Sequence, residues 1–96
     1  MLEFLKRAVA VLDAAEFGSD SHDVAGWAIY KGLTGAQREC LTQLMREPTW
    51  DGDICSKCAR DELMRLGLAA RCCYKGQQGY TVATYRAYTV IRLGTQ

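Results

Sequence analysis

Residues 56–84 read SKCARDELMRLGLAARCCYKGQQGYTVAT and carry the clearest structural signals of the chain. Ser56 has a side chain that commonly caps a helix start, and the segment from Lys57 to about Leu66 carries an apolar face. Gly67 is well placed to end that helix in the left-handed conformation. The pattern therefore predicts a helix that is capped at both ends, with Leu63 and Leu66 on its buried side.

Beyond this helix the hydrophobic period changes to two, which predicts β-strands at residues 68–74 and 80–84. The segment Lys75-Gly76-Gln77-Gln78-Gly79 separates them and has the composition of a turn. Tyr74 and Tyr80 flank the turn, where aromatic side chains can pair across strands. The sequence therefore predicts a β-hairpin immediately after the capped helix.

Three helices are predicted before Ser56. Apolar residues recur at helical spacing over residues 2–17. A second, short helix that Ser21 or Asp23 would cap ends at Gly32. Thr34 and Gln37 have the spacing of a capping box, which begins a third helix that ends at Glu47-Pro48. Residues 86–93 fit either a strand or an amphipathic helix, and we predict a short terminal helix.

The chain resembles winged-helix repressors of the MarR type over residues 33–93. The matching segments are 33–38, 61–63, 66–71 and 79–81, with the sequences LTGAQR, DEL, LGLAAR and GYT. The stretch from Ser56 through Arg60 and Leu63 to Gly67 also resembles small proteins encoded by bacteriophages and prophages. The resemblance implies an α+β, winged-helix-like fold with three to four helices and a C-terminal β-hairpin wing.

We expect a single domain over residues 1–96, with a helical extension at 1–32 and a winged-helix-like unit at 33–93. One departure from the family lies at residues 47–55, which are too few for the second helix that the family has there. Either that scaffold helix is absent, or the helix from Thr34 takes its role and an N-terminal helix replaces the opening one.

The implied function is sequence-specific or architectural DNA binding by a phage or prophage regulator of transcription. Such a helix reads base edges with residues near its N-terminus, while cations on the wing contact phosphates. The alternative is a phage-encoded inhibitor, such as an anti-CRISPR or host-takeover factor, that binds a host protein. The candidate contact residues for DNA or a host protein are Ser56, Lys57, Arg60, Arg71, Lys75, Arg86 and Trp50.

The composition of the chain bears on its binding surface, its cellular compartment and its oligomeric state. The chain has 96 residues and a formal net charge of +1, so a basic surface must be local. We expect the N-terminal segment to be neither a signal peptide nor a membrane span, because charges interrupt it. Five cysteines without a signal sequence favour a cytoplasmic protein, in the bacterial host if the protein is phage-encoded. Monomer and homodimer both remain open.

No catalytic constellation is recognisable, so we expect no enzyme and no cofactor. Cys55 and Cys58 have zinc-ligand spacing, but the adjacent Cys72 and Cys73 would point to opposite faces of a strand. We expect no metal, and we expect these four cysteines and Cys40 to be small buried side chains. Of the two tryptophans, we place Trp27 in the core and Trp50 in a partly exposed contact position, with packing under the wing as the alternative for Trp50.

Overall fold

The computed structural model describes residues 2–95, which form five α-helices and a three-stranded antiparallel sheet. The helices are α1 (Leu2–Ala14), α2 (Asp20–Gly32), α3 (Gly35–Arg46), α4 (Lys57–Arg65) and α5 (Tyr85–Gly94). The strands are β1 (Thr49–Trp50), β2 (Ala69–Tyr74) and β3 (Gln77–Ala83). The predicted α+β, winged-helix-like layout with a C-terminal hairpin is confirmed, although the structure has more helices than the three to four expected.

The chain divides into two compact units. The first contains the residues up to Leu33 together with those from Thr89 onward, and the second is Thr34–Tyr88. Helix α5 therefore contributes residues to both units. No helix within residues 2–95 has the length and the apolar character needed to cross a membrane.

The second unit has the element order helix, strand, helix, hairpin. Residues 47–55 hold β1 and a 3-10 turn at Asp51–Asp53 instead of a helix. Strand β1 pairs with β3, with Thr49 opposite Thr81, so the sheet order is β1-β3-β2. Helix α3 is thus followed by β1 and α4 with no α-helix between them, an order that fits both alternatives for the scaffold helix.

Local side-chain chemistry begins α3 where the sequence predicts it. The backbone N–H of Gln37 donates to Thr34 Oγ1 at 3.1 Å, and the backbone N–H of Thr34 donates to Gln37 Oε1 at 2.9 Å. This is a complete capping box, which satisfies two amides at the helix start. The Gln37 amide nitrogen also donates to Glu62, so the same residue links α3 to α4.

Helix α4 is capped at both ends, as predicted. The backbone N–H of Ala59 donates to Ser56 Oγ at 3.2 Å. At the other end Gly67 has φ 77°, and its N–H donates to the carbonyl of Met64 at 3.0 Å. The N–H of Leu68 donates to the carbonyl of Leu63 at 2.9 Å, which completes a Schellman motif.

The core of the second unit is built from α3, α4 and the sheet. Helix α4 packs against α3 and β2, and α3 packs against β3. Leu63 and Leu66 are buried, as the helical spacing predicts. The apolar stripe of α3 supplies Cys40, Leu41 and Leu44, which are fully buried. Buried apolar side chains of α3 and α4 thus lie where these helices pack against each other and against the sheet.

In the first unit, α1 packs against α2. The structure of this unit differs from the predictions in three details. Helix α1 ends at Ala14 rather than Phe17. Helix α2 is capped by Ser19, whose Oγ accepts from the backbone N–H of His22, so Ser21 and Asp23 lie inside the helix. Trp27 is 50% exposed, and the prediction of a core position was wrong because Ala25 and Ile29 occupy the buried face of α2.

Candidate nucleic-acid interface

The N-terminal end of α4 carries the residues that the sequence predicts to read DNA. Ser56 uses its side chain as the helix cap, and Lys57 follows in the first turn and is exposed. The same helical face also presents Asp61 and Arg65 to solvent, and neither was predicted as a contact residue. This face therefore offers two cations with one carboxylate between them.

Arg60 does not belong to that exposed face. The residue is 6% exposed, and its guanidinium donates to the carboxylates of Asp51 and Asp61. Asp61 Oδ1 lies 3.0 Å from Nε and 2.9 Å from Nη2 of Arg60. Because the guanidinium is buried and is hydrogen-bonded to these two carboxylates, Arg60 is not available to contact DNA or a partner protein. It instead holds α4 against the 3-10 turn.

The wing ends in a two-residue turn formed by Lys75 and Gly76, so the predicted turn over residues 75–79 was too long. Strand β3 already begins at Gln77 because that residue pairs with Tyr74. Tyr74 pairs with Gln77, and both central residues have positive φ, 53° for Lys75 and 77° for Gly76. This is the type I′ geometry, in which asparagine and glycine are the favoured residues. A left-handed lysine costs roughly 1 kcal/mol, so the chain places an exposed ammonium group at the wing tip against the local backbone preference.

The other two predicted cations differ in their surroundings. Arg71, on β2, has a side chain that is 50% exposed, with Nη1 3.8 Å from Asp51 Oδ1. Arg86 instead lies at the C-terminal end of α4, where its Nη1 donates to the carbonyl of Gly67 at 3.1 Å. Arg86 therefore stabilises the end of α4, while Arg71 keeps part of its surface in solvent beside the sheet.

Trp50 packs within an aromatic cluster on one face of the sheet, which we define as Trp50, Tyr74 and Tyr80. Trp50 is opposite Tyr80 in the strand register, and the two rings meet edge to face with centroids 5.3 Å apart. Tyr80 meets Tyr74 with the same centroid distance, which confirms the predicted pair across the hairpin. The Lys75 ammonium lies 5.3 Å from the Tyr74 ring centroid.

Charged residues are unevenly distributed along the chain. After Glu62 the sequence contains no acidic residue, and its cations are Arg65, Arg71, Lys75, Arg86 and Arg92. In the second unit eight Lys and Arg residues face six Asp and Glu residues, which gives a formal charge of +2, whereas four face five in the first unit, which gives −1. The hairpin and its flanks are therefore the positive part of a nearly neutral chain.

The cysteines do not follow the expectation of general burial. Cys40 is fully buried as predicted, but Cys55, Cys58 and Cys73 are exposed and Cys72 is half-buried. Burial, followed by contact with Cys55, raises the pKa of the Cys40 thiol to about 11. Within residues 2–95, no three His, Cys, Asp or Glu side chains come together in a way that would hold a metal ion.

Two features of this surface were not predicted from the sequence. Strand β1 has only two residues, too few for an alternating pattern, so no sequence signal predicted that Trp50 lies beside Tyr80. The burial of Arg60 did leave a signal, because Arg60 lies three residues before Leu63 and next to Ala59, on the apolar side of α4.

Comparison with known proteins adds no assignment. No protein-family model, no curated protein and no solved structure matches this chain.

Proposed function

We propose that this chain is a small DNA-binding protein, a phage or prophage regulator that acts in the bacterial cytoplasm. The observation that carries the proposal is Lys75, an exposed lysine in a left-handed turn position at the tip of a wing. Strained, exposed residues are a recurrent feature of functional sites. The segment around this lysine bears only positive charge, which suits a phosphate backbone.

The wing is expected to supply most of the affinity. Lys75 and Arg71 are the exposed cations of the hairpin, and Lys57 and Arg65 are those of α4. Contacts to phosphate set affinity and register but carry no sequence information. Because Arg60 is occupied by Asp51 and Asp61, α4 offers fewer groups for base edges than the sequence suggested. We therefore expect duplex binding with a marked salt dependence and a modest preference among sequences.

The test is fluorescence anisotropy of labelled duplexes of random and genomic sequence, over salt from about 50 to 200 mM. Lys75→Ala should weaken binding to every duplex and lower the magnitude of the salt slope by about one. Lys57→Ala should act most strongly on preferred sequences, since it lies in the first turn of α4. Lys6→Ala, an exposed lysine of α1, is the control with the same change in charge.

The proposal fails if the wild-type protein binds all duplexes more weakly than about 10⁻⁴ M at physiological salt, the weak limit of non-specific binding. It also fails if Lys6→Ala and Lys75→Ala have equal effects, because the binding would then report net charge rather than the wing.

A second candidate function, binding of a host protein, is favoured by the surface of the first unit. Helices α1 and α2 border an apolar groove of about 590 Å³, in which Phe4, Ala8, Val11 and Val24 are among the lining residues. Phe4, Val11 and Val24 are exposed there, and exposed apolar patches commonly mark protein interaction sites. We propose an inhibitor that occupies a host protein as the alternative to DNA binding.

The two functions can be separated by expressing the protein and its variants in a bacterial host. The phenotype compared is the change in the host that expression of the wild-type protein causes. A phenotype that Val24→Asp abolishes and Lys75→Ala leaves intact supports the protein-binding function. A phenotype that Lys75→Ala abolishes and Val24→Asp leaves intact supports DNA binding. Thermal unfolding of both variants serves as the control for folding.

A further inference from the structure

A cleft of about 380 Å³ lies beside the wing, between the C-terminal end of α3, β1 and the hairpin. Its aromatic lining is the cluster of Trp50, Tyr74 and Tyr80. Lys75, the wing-tip residue, also lines it, so the cleft adjoins the surface proposed to contact DNA. Apart from these three aromatic residues and Pro48, the residues that line the cleft are polar or charged, so the aromatic cluster forms the apolar wall of an otherwise polar cleft.

Trp50 is exposed and yet closely held. Its side chain remains 43% accessible, although its ring meets Tyr80 edge to face. Two glycines make room for the indole: a Cβ at Gly79 would lie 2.8 Å from Cζ3 of Trp50, and a Cβ at Gly52 would lie 3.2 Å from Cδ1. Gly79 has φ 96°, a conformation that glycine adopts without strain. A ligand that stacks on this indole would therefore lose little side-chain entropy on binding.

The ionised groups of the cleft balance one another. Arg46 and Lys75 contribute two positive charges, and Glu47 and Asp53 contribute two negative ones. The formal charges of the cleft therefore sum to zero and favour neither anions nor cations overall, whereas a flat neutral ring finds an aromatic surface. A nucleobase is such a ring, and stacking on aromatic side chains is the usual way in which proteins hold unpaired bases.

We infer that the cleft binds an unpaired nucleobase of a single-stranded or locally opened nucleic acid, by stacking on Trp50. The inference rests on the proposed function, because the adjoining Lys75 wing would bring the nucleic acid to the cleft. Its chemistry differs from that of the wing, since stacking in an electrically balanced cleft depends weakly on salt and phosphate contacts depend strongly on it.

The reporter is Trp50 itself. The chain has two tryptophans, so Trp27→Phe leaves Trp50 as the single indole. Single-stranded oligothymidylate added to this variant should quench the Trp50 fluorescence, and a duplex of equal length should quench it less. In the natural chain, Trp50→Leu should lower single-strand affinity on the order of 10-fold to 100-fold, the value of one stacked base. The salt slope should stay unchanged.

Trp50→Phe serves as the matched control, because it keeps a smaller aromatic face and should retain an intermediate affinity. Both Trp50 variants are compared at equal folded fraction by thermal unfolding. If Trp50→Leu does not fold, quenching in the Trp27→Phe chain and the Trp50→Phe affinity decide the result.

The outcomes separate this inference from the proposed function. Salt-dependent duplex binding that needs Lys75, without quenching of Trp50 by single strands, overturns the inference and leaves the proposed function standing. Quenching by single strands without duplex binding supports the inference and removes the proposed function. Quenching by a proline-rich peptide and not by oligonucleotide overturns the inference, because such peptides also dock in aromatic clefts.

Discussion

The buried guanidinium of Arg60 donates a hydrogen bond to the carboxylate of Asp51, and this pair joins α4 to the 3-10 turn before it. The side chain of Arg60 is 7% exposed, whereas that of Asp51 is 35% exposed. Removal of one partner from such a pair leaves a buried charge without full compensation. Asp51 therefore fixes the position of the helix that we propose to face DNA.

We predict that Asp51→Asn lowers the free energy of unfolding by about 1.5 to 3 kcal/mol, the range for hydrogen bonds to charged groups. Asp53→Asn, on the other side of Gly52, is the matched control and should change stability by less than about 0.5 kcal/mol. Urea denaturation measures both. Equal losses at the two positions would show that the turn itself, and not the pair with Arg60, is responsible.

A second prediction concerns Thr81, which is fully buried on β3. Its Oγ1 finds no hydrogen-bond partner among residues 2–95. Thr81→Val replaces this hydroxyl with a methyl group of similar size and should raise stability by about 1 kcal/mol, because a buried hydroxyl without a partner costs about 1 to 3 kcal/mol.

The cross-strand neighbour Thr49 provides the control for Thr81. Thr49 is also buried, but its Oγ1 donates to the carbonyl of Glu47 at 3.1 Å. Thr49→Val should therefore lower the free energy of unfolding by about 1 kcal/mol, the opposite sign. Stabilisation by both substitutions would contradict the hydrogen-bond argument and indicate a general preference for valine in the sheet.

The features predicted correctly from sequence are those with local causes. The capping box of Thr34 and the caps of α4 at Ser56 and Gly67 each need only residues within one helical turn. The hairpin likewise follows from the change of period and the turn composition. These local signals are sufficient to predict where α3, α4 and the wing lie in the chain, without knowledge of tertiary contacts.

The features that sequence did not predict arise from tertiary contacts. Pairing of Thr49 with Thr81 creates β1, and the approach of Asp51 makes Arg60 a structural residue. The aromatic cluster needs the same strand pairing, since Trp50 lies far from Tyr80 in sequence. Four of the predicted contact residues, Lys57, Arg71, Lys75 and Trp50, are exposed, while Ser56, Arg60 and Arg86 stabilise α4.

Thiol reactivity gives a third prediction. Burial raises the pKa of Cys40 to about 11, so at about pH 8 only about one Cys40 thiol in a thousand is the reactive thiolate. Iodoacetamide should therefore label Cys55, Cys58 and Cys73 in the native protein well before Cys40. Because the pKa is raised, Cys40 labelling should keep increasing as the pH rises towards 11.

Mass spectrometry of proteolytic peptides measures this order of labelling. In denaturant the order should disappear, because unfolding removes the burial that protects Cys40. If Cys40 in the native protein reacts as quickly as Cys73, the helix α3 stripe that buries it opens frequently, and the assignment of Cys40 to a stable core is wrong.

The last prediction sets stability against binding at Lys75. Asparagine tolerates positive φ better than lysine and favours the type I′ turn before glycine. Lys75→Asn should therefore raise the free energy of unfolding by up to about 1 kcal/mol. The same change removes a cation, so duplex affinity should fall and the magnitude of the salt slope should decrease by about one.

Lys75→Arg keeps both the charge and the strained backbone, and it should leave both quantities near their natural values. Urea denaturation and anisotropy on the same preparations measure the two effects. A gain in stability with unchanged binding would mean that the lysine is strained without serving DNA, whereas a loss of stability would mean that its contact with the Tyr74 ring outweighs the backbone strain.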